Sequence, residues 1–104
     1  MPDCLFCKIV AKEIPSEMIY EGSLAVAFKD LYPKAKHHYL IVPRKHIESV
    51  ITMEEDDQGV MGHLLWDAHK IGKDLGLEGY KLQLNCGKKG GQEIDHVHLH
   101  LLAD

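Results

Sequence analysis

Apolar and polar positions repeat along this chain at two different periods, and the change from one to the other marks its elements. In the closing ten residues, Asp95-His96-Val97-His98-Leu99-His100-Leu101-Leu102-Ala103-Asp104, the period is two. That is the period of a strand. Val97, Leu99 and Leu101 line one face and His96, His98 and His100 the other, about 6–7 Å between neighbours. Upstream, Leu5, Phe6 and Ile9 recur at helical spacing and predict a short helix over Cys4 to Val10, ended by Ile14-Pro15. Met18 to Tyr20 and Leu24 to Phe28 read as strands around a Glu21-Gly22-Ser23 turn. Asp30 to Lys36 is a connection. His38 to Val42 is the strongest strand by apolar and β-branched content, limited by Pro43. Thr52-Met53-Glu54-Glu55 has the form of a capping box, Thr52 the cap. A long helix should run from there to about Leu75 on a stripe of Val60, Leu64, Leu65, Ala68, Ile71 and Leu75. Gly76 and Gly79 punctuate its end. Tyr80 to Asn85 alternates as a strand, and the glycine-rich loop Gly87 to Gly91 connects it to the histidine strand as a hairpin.

Two helices around five strands predict an α+β fold, a mostly antiparallel five-stranded sheet with a short N-terminal helix and one long helix. With 104 residues and no internal repeat, residues 1–104 form a single domain with one modest core. The net charge of −4 leaves no general basic footprint for nucleic acid. No apolar run is long enough to span a bilayer, and Met1-Pro2-Asp3-Cys4 does not resemble a signal peptide. A cytoplasmic location is therefore expected. Three cysteines are an odd count, read in a reducing compartment as metal ligands or buried thiols.

The chemistry concentrates on the histidine face. A strand buried only for packing would not place imidazole at every second position. Such a row supplies donors, acceptors, nucleophiles or metal ligands near neutral pH. Beside it, Gly87-Lys88-Lys89-Gly90-Gly91 is expected to bring backbone amides and lysine charge close to a phosphate. Cys4-x-x-Cys7 has the spacing of half a zinc site. Of the adjacent pair His37 and His38, only one can face the site; His37 is read as the surface residue. His63 and His69 are read as solvated or packing residues. Trp66 and Tyr80 are read as interface or core aromatics, and Cys86 as a small buried hydrophobe.

Gly90-Gly91-Gln92-Glu93-Ile94-Asp95-His96-Val97-His98-Leu99-His100 resembles the signature of the histidine triad family, His-x-His-x-His with hydrophobic residues at each x. Upstream, Phe6-x-Lys8-Ile9 with Glu13-Ile14-Pro15, Ala27-Phe28-Lys29-Asp30, His38-Tyr39-Leu40-Ile41-Val42-Pro43-Arg44-Lys45-His46, and Asn85 are similar to that family's nucleotide-binding branch. The resemblance covers essentially the whole chain, and Gln92-Glu93 resembles the branch's bacterial form. Asp95 departs from a more usual aromatic. Few residues follow His100 in this sequence, on the side where the family's tail shapes the leaving-group end.

The resemblance implies a histidine triad fold and hydrolysis of adenosine 5′-phosphoramidates and related purine nucleoside phosphoramidates. His98 would be the nucleophile, forming a nucleotidyl-imidazole that water cleaves; neutral imidazole is both nucleophile and leaving group. His100 and His38 would donate to phosphoryl oxygens, completing with His96 the catalytic set. Asp30 would take the ribose hydroxyls, against a competing reading as an ordinary turn acid. Leu5, Phe6, Ile9 and Leu31 would form the base slot. Asn85, Gly91, Gln92 and Glu93 would join His98 and His100 around the phosphate and leaving group. Zinc-bearing relatives complete the CxxC pair with the histidine of Pro-x-x-His and the first of the triad, here His46 and His96. Four such ligands leave no open position, so the zinc would be structural. Family pairing through the long helix and the strand ending at Asn85 implies a homodimer. Two other functions are compatible: a dinucleoside polyphosphate hydrolase, and a nucleotide-binding regulatory protein with incidental turnover.

Overall fold

The computed structural model describes residues 3–104; Met1 and Pro2, the start of the segment read above for export, lie outside them. The elements in chain order are α1 (Leu5–Val10), β1 (Met18–Glu21), β2 (Ala25–Lys29), β3 (His37–Pro43), α2 (Gln58–Asp74), β4 (Lys81–Gln83) and β5 (Leu99–Ala103). All strand pairs are antiparallel and the sheet order is β1-β2-β3-β5-β4. This is the expected α+β architecture.

The strand β3 sits at the centre because both its faces are apolar. Tyr39 and Ile41 point to one side, where α2 packs Leu64, Ala68 and Ile71 against Ala25, Ala27, Leu99 and Leu101. Leu40 and Val42 point to the other, into a second cluster with Phe6, Ile9, Val26 and Phe28. The histidine face of β5 therefore opens on the α1 side, while Val97, Leu99 and Leu101 serve the α2 core. One helix closes each face.

Chain ends of the helices follow local chemistry. After α1, Lys12 takes a left-handed conformation at φ 62°. Its N–H donates to the Ile9 carbonyl and that of Glu13 to Lys8, the paired bonds of a Schellman stop. The helix thus ends before Ile14-Pro15 is reached. At the far end of α2, Gly76 at φ 67° makes the same stop, Gly76 N–H to Lys73 and Leu77 N–H to Gly72.

Three expectations need correction. The long helix begins at Gln58, and the capping box is formed by Glu54 and Asp57 on a single 3-10 turn, with Thr52 closing an earlier turn begun at Ser49. Asp57 wins because its carboxylate takes both the Glu54 N–H at 2.9 Å and the Lys45 ammonium. Of the predicted stripe, Leu65 and Leu75 stand outside the core, 56 % and 44 % exposed, and Asp67 and Gly72 occupy buried positions on it. The last hairpin is shorter than its alternation suggests: β4 is only Lys81–Gln83, and His96 to His98 form an irregular lead-in before β5. Here the Val97 N–H leaves the sheet for the Ile47 carbonyl at 2.8 Å. Tyr80 lies against α2 at Gly72, where a Cβ would stand 2.5 Å from its ring.

The last two residues of the stripe should respond differently to truncation. Ile71→Ala, inside the α2 core, is expected to cost about 2–5 kcal/mol, whereas Leu75→Ala should cost about 0.5 kcal/mol or less, as exposed positions generally do. Urea unfolding of both variants checks this; equal losses would mean that the stripe reaches Leu75 after all.

Candidate active site and metal cluster

The lead-in to β5 keeps the alternation of the histidines but divides their company. His98 and His100 look into a cleft with His38 and Asp30. His96, fully buried, turns to Cys4, Cys7 and His46. Phe6 stands between, its ring 6.0 Å from that of His96 and 5.0 Å from that of His98. His96 thus sits in the Cys/His group that could hold a metal ion, and its ring turns away from the cleft that His98 and His100 share.

Backbone partners decide which nitrogen of each ring carries a proton. A carbonyl only accepts and an amide only donates, so the facing ring nitrogen must do the opposite. His98 Nδ1 lies 2.8 Å from the His96 carbonyl. It carries the hydrogen, and the lone pair is left on Nε2. His96 Nε2 lies 2.9 Å from the Pro43 carbonyl, which leaves its lone pair on Nδ1, among the sulfurs. His38 Nδ1 accepts from the Lys34 N–H at 3.1 Å, so its hydrogen sits on Nε2 and points to His100 Nδ1 at 2.9 Å. In the neutral His100 ring the remaining hydrogen is on Nε2. The arrangement is a nucleophilic nitrogen on His98 beside a held donor on His100.

The cleft has a volume of about 590 Å3, within the usual range for small-molecule sites. At one end Leu5, Phe6, Ile9, Ile14, Phe28 and Leu31 make an apolar slot, with Leu5 part-exposed on its rim and Leu31 83 % exposed at its mouth. Asp30 follows β2. Its Oδ1 accepts from the Tyr32 N–H at 2.9 Å, a turn bond, and its Oδ2 lies 3.4 Å from His38 Nε2. It is both a turn acid and a site acid. Asn85, Gly91 and Glu93 also line the cleft.

Gln92 does not join them. Its buried side chain donates to the carbonyls of Glu48 and Ile94 and accepts from the Gly87 N–H, tying the loop to the body. The glycine loop also departs from expectation. The amides of Gly87, Gly90, Gly91 and Gln92 all bond within the loop, and Lys88 and Lys89 are absent from the cleft wall. Lys34 and Lys81 line the cleft instead, with Tyr32 and Gln83. Lys81 and Gln83 were legible in principle, because an alternating strand paired to the histidine strand must turn alternate residues to the same face. His37 bonds the Tyr39 hydroxyl at 2.9 Å, away from the site.

Burial drives the His100 pKa down to about 4, helped by the neighbouring His98 and His38 against the opposing pull of Asp30. Burial lowers His38 as well; Asp30 opposes and Lys34 adds to the effect. Both shifts favour the neutral rings that the tautomer assignments require.

In the second cluster Cys4 Sγ lies 3.2 Å from His96 Nδ1, Cys7 Sγ 3.3 Å from His46 Nδ1 and 3.6 Å from His96 Nδ1, and the two imidazole nitrogens are 3.2 Å apart. Bond lengths of about 2.0–2.1 Å to nitrogen and 2.3 Å to sulfur in a tetrahedron imply ligand separations of about 3.3–3.8 Å. The four donors fit a metal ion. Asp30, His38 and His100 also lie close together, but there the His38 Nε2 is a donor fixed by Lys34. Turning it into a ligand would set an N–H against an N–H. That trio is built for hydrogen bonding.

Residues 3–104 match the family model described as "Scavenger mRNA decapping enzyme C-term binding". Protein HitA of Neisseria gonorrhoeae is 41 % identical, over 99 % of this chain and 97 % of its own length. A histidine triad protein from Clostridium difficile is similar throughout, at 42 % identity with a TM-score of 0.97, covering 100 % of this chain and 92 % of that one. A HIT family hydrolase from Legionella pneumophila Philadelphia 1 also aligns, at 42 % identity and a TM-score of 0.94, over 97 % of this chain and 92 % of that one.

A pH titration follows from His100. Its folded pKa lies below the ordinary 6.5, so between pH 6.5 and about 4 the unfolded chain binds the extra proton. Its contribution to stability is complete above pH 6.5 and is lost as the pH falls through about 4. Unfolding free energy measured across that window should decline on acidification, and His100→Gln should decline less steeply. Identical slopes would show that His100 is not held neutral by the fold.

Proposed function

The chain belongs to the histidine triad family, and on that footing we propose that it is a purine nucleotide-binding hydrolase acting on adenosine 5′-phosphoramidates and related nucleoside phosphoramidates. The observation that carries this reading is the His98 imidazole, its Nδ1–H tied to the His96 carbonyl and its Nε2 lone pair left for the cleft. Nε2 attacks the α-phosphorus, the leaving amine departs with the P–N electron pair and takes a proton from water, and a nucleotidyl-histidine forms. Water then cleaves the P–N bond to His98. As Nε2 becomes bonded to phosphorus the ring gains positive charge, which the carbonyl on Nδ1–H stabilises throughout.

The other residues divide the remaining work. His100 Nε2–H donates to a phosphoryl oxygen. His38, whose donor is directed to His100, positions that ring and does not itself reach the phosphate. Asp30 receives the ribose hydroxyls, its carboxylate held in place by the Tyr32 N–H. The apolar slot of Leu5, Phe6, Ile9 and Leu31 takes the purine, and Asn85, Gly91 and Glu93 border the phosphate.

Cys4, Cys7, His46 and His96 would hold zinc, which with four protein ligands supplies a structural clamp. Cys4 and Cys7 belong to the same short segment as Leu5, Phe6 and Ile9, so the clamp fixes the base slot. A cytoplasmic location is part of the same proposal; no helix among the described residues is long and apolar enough to cross a membrane. A homodimer is supported by a second, apolar groove of Met61, Leu65, Leu82 and Leu84 between α2 and β4. Exposed Leu65 and Trp66 lie beside it on α2.

Two experiments test the reading. His98→Ala should abolish turnover of an adenosine phosphoramidate while AMP still binds, and intact mass after substrate addition should show a nucleotidyl adduct only on wild type. Undiminished turnover would remove His98 from its role. Metal analysis should find about one zinc per chain, and a strong chelator should lower both the melting temperature and the affinity for AMP; Cys4→Ser should do the same. Metal-free protein of full stability would leave CxxC as a pair of thiols.

A further inference from the structure

The register of the sheet sets out the polar floor of the cleft in rows. One row runs Leu40, His100, Gln83 across β3, β5 and β4; the next runs His38, Leu102, Lys81. All six residues line the cleft. Strands lie about 4.8 Å apart, so Lys81 stands at the outer edge, one row beyond His100 and two rows beyond the level of His98. Lys34, on the loop before β3, also lines the cleft, and its charge acts on both His38 and His100. Lys12, Lys29, Lys45 and Lys70 each lie within 4 Å of a carboxylate. Among the described residues Lys34 and Lys81 have no such partner, although both face a shared cavity. Two acids line the same cleft: Asp30, beside His38, and Glu93, two residues after the Gly91 that packs on Asn85.

Displacement at phosphorus places the leaving group roughly in line with the nucleophile and on the far side from it. Because His98 Nδ1 is turned back to the His96 carbonyl, Nε2 faces away from His96, and a leaving group in line with it lies on the side of the His100 row and the Lys81 row beyond. We infer that Lys34 and Lys81 form a leaving-group subsite for a second anionic group, so that the preferred substrates are nucleoside phosphoramidates whose amine carries a carboxylate or a phosphate. The inference rests on the phosphoramidase reading and narrows its substrate class. The α-phosphate is already served by His100 and Asn85, whereas two ammoniums on the same cleft, neither within 4 Å of a carboxylate, match a charge that the nucleotide itself does not have. Both lysines are exposed, so each contributes what an exposed pair does, at most about a fivefold ratio.

The test compares kcat/KM for four adenosine 5′-phosphoramidates that share the same P–N bond: those of aspartate, 2-aminoethyl phosphate, alaninamide and lysinamide. Wild type should favour the two anionic amines over alaninamide by about fivefold to twentyfold, with lysinamide last, and the preference should shrink at high salt. Which anionic amine leads distinguishes a carboxylate from a phosphate ligand. Lys34→Gln with Lys81→Gln should bring the anionic-to-neutral ratio close to one, and Lys81→Glu should raise lysinamide above alaninamide. Equal rates for all four amines in wild type, or a preference that survives the double substitution, would overturn the inference. Calorimetry of AMP against ADP separates it from the enzymatic reading. Without turnover but with tighter, lysine-dependent binding of ADP, the subsite stands and the phosphoramidase reading falls. Equal affinity for AMP and ADP, together with no turnover, removes both.

Discussion

A ring nitrogen that faces a backbone carbonyl must carry a proton, and the site depends on that constraint at two adjacent histidines. The His96 carbonyl holds the hydrogen of His98 on Nδ1, and the Pro43 carbonyl holds that of His96 on Nε2. The two rings therefore present lone pairs from opposite nitrogens, one to the nucleotide cleft and one to the sulfurs of Cys4 and Cys7. Neither assignment needs an ionised partner. Free imidazole interconverts its tautomers readily; here two carbonyls, both fixed by the fold, select one for each ring.

The rest of the fold serves to hold those carbonyls still. The Pro43 carbonyl ends the central strand, which is buried on both faces between the α2 core and the α1 cluster. The His96 carbonyl belongs to the irregular lead-in, anchored at Val97 through its N–H to Ile47 and its burial under α2. On the open face the short α1 provides both the thiols of one site and the apolar wall of the other. A six-residue helix is too short to be stable alone. Its place is maintained by Phe6 and Ile9 in the second core cluster and, at its start, by the convergence of Cys4 and Cys7 with His46 and His96. The two sites thus share one mechanical element.

Much of this could be read from residue order, and the reasons are local. The alternation at the C-terminus separated core from site residues correctly, since a period-two face is a direct consequence of the pleat. Strand β3 could be recognised because its residues are apolar on both sides. The division of the histidine row was harder to see. Strand alternation says that His96 and His98 share a face, but not that Phe6 inserts beside both rings and separates their neighbours. The glycine loop misled for a related reason: glycines permit amides to face a ligand, yet here Gly87 and Gly91 have positive φ to fold the loop onto itself. Gln92, for which the family resemblance implied a ligand contact, is the strut of that loop. Lys34 and Lys81 carry no motif, and only the register and the path of the β2–β3 connection bring them to the cleft. Thr52 does not cap the helix because the chain inserts a further 3-10 turn before α2, closed by the Glu54–Asp57 capping box, and Lys45 from a distant segment bonds the same Asp57 carboxylate.

The central claim is the protonation of the His98 ring, and nitrogen-15 correlation spectra of histidine-labelled protein at neutral pH measure it directly. The account predicts that His98 carries its hydrogen on Nδ1, with Nε2 unprotonated, and that it stays so when AMP is absent. A His98 ring found with its hydrogen on Nε2, or exchanging evenly between the two tautomers, would contradict it.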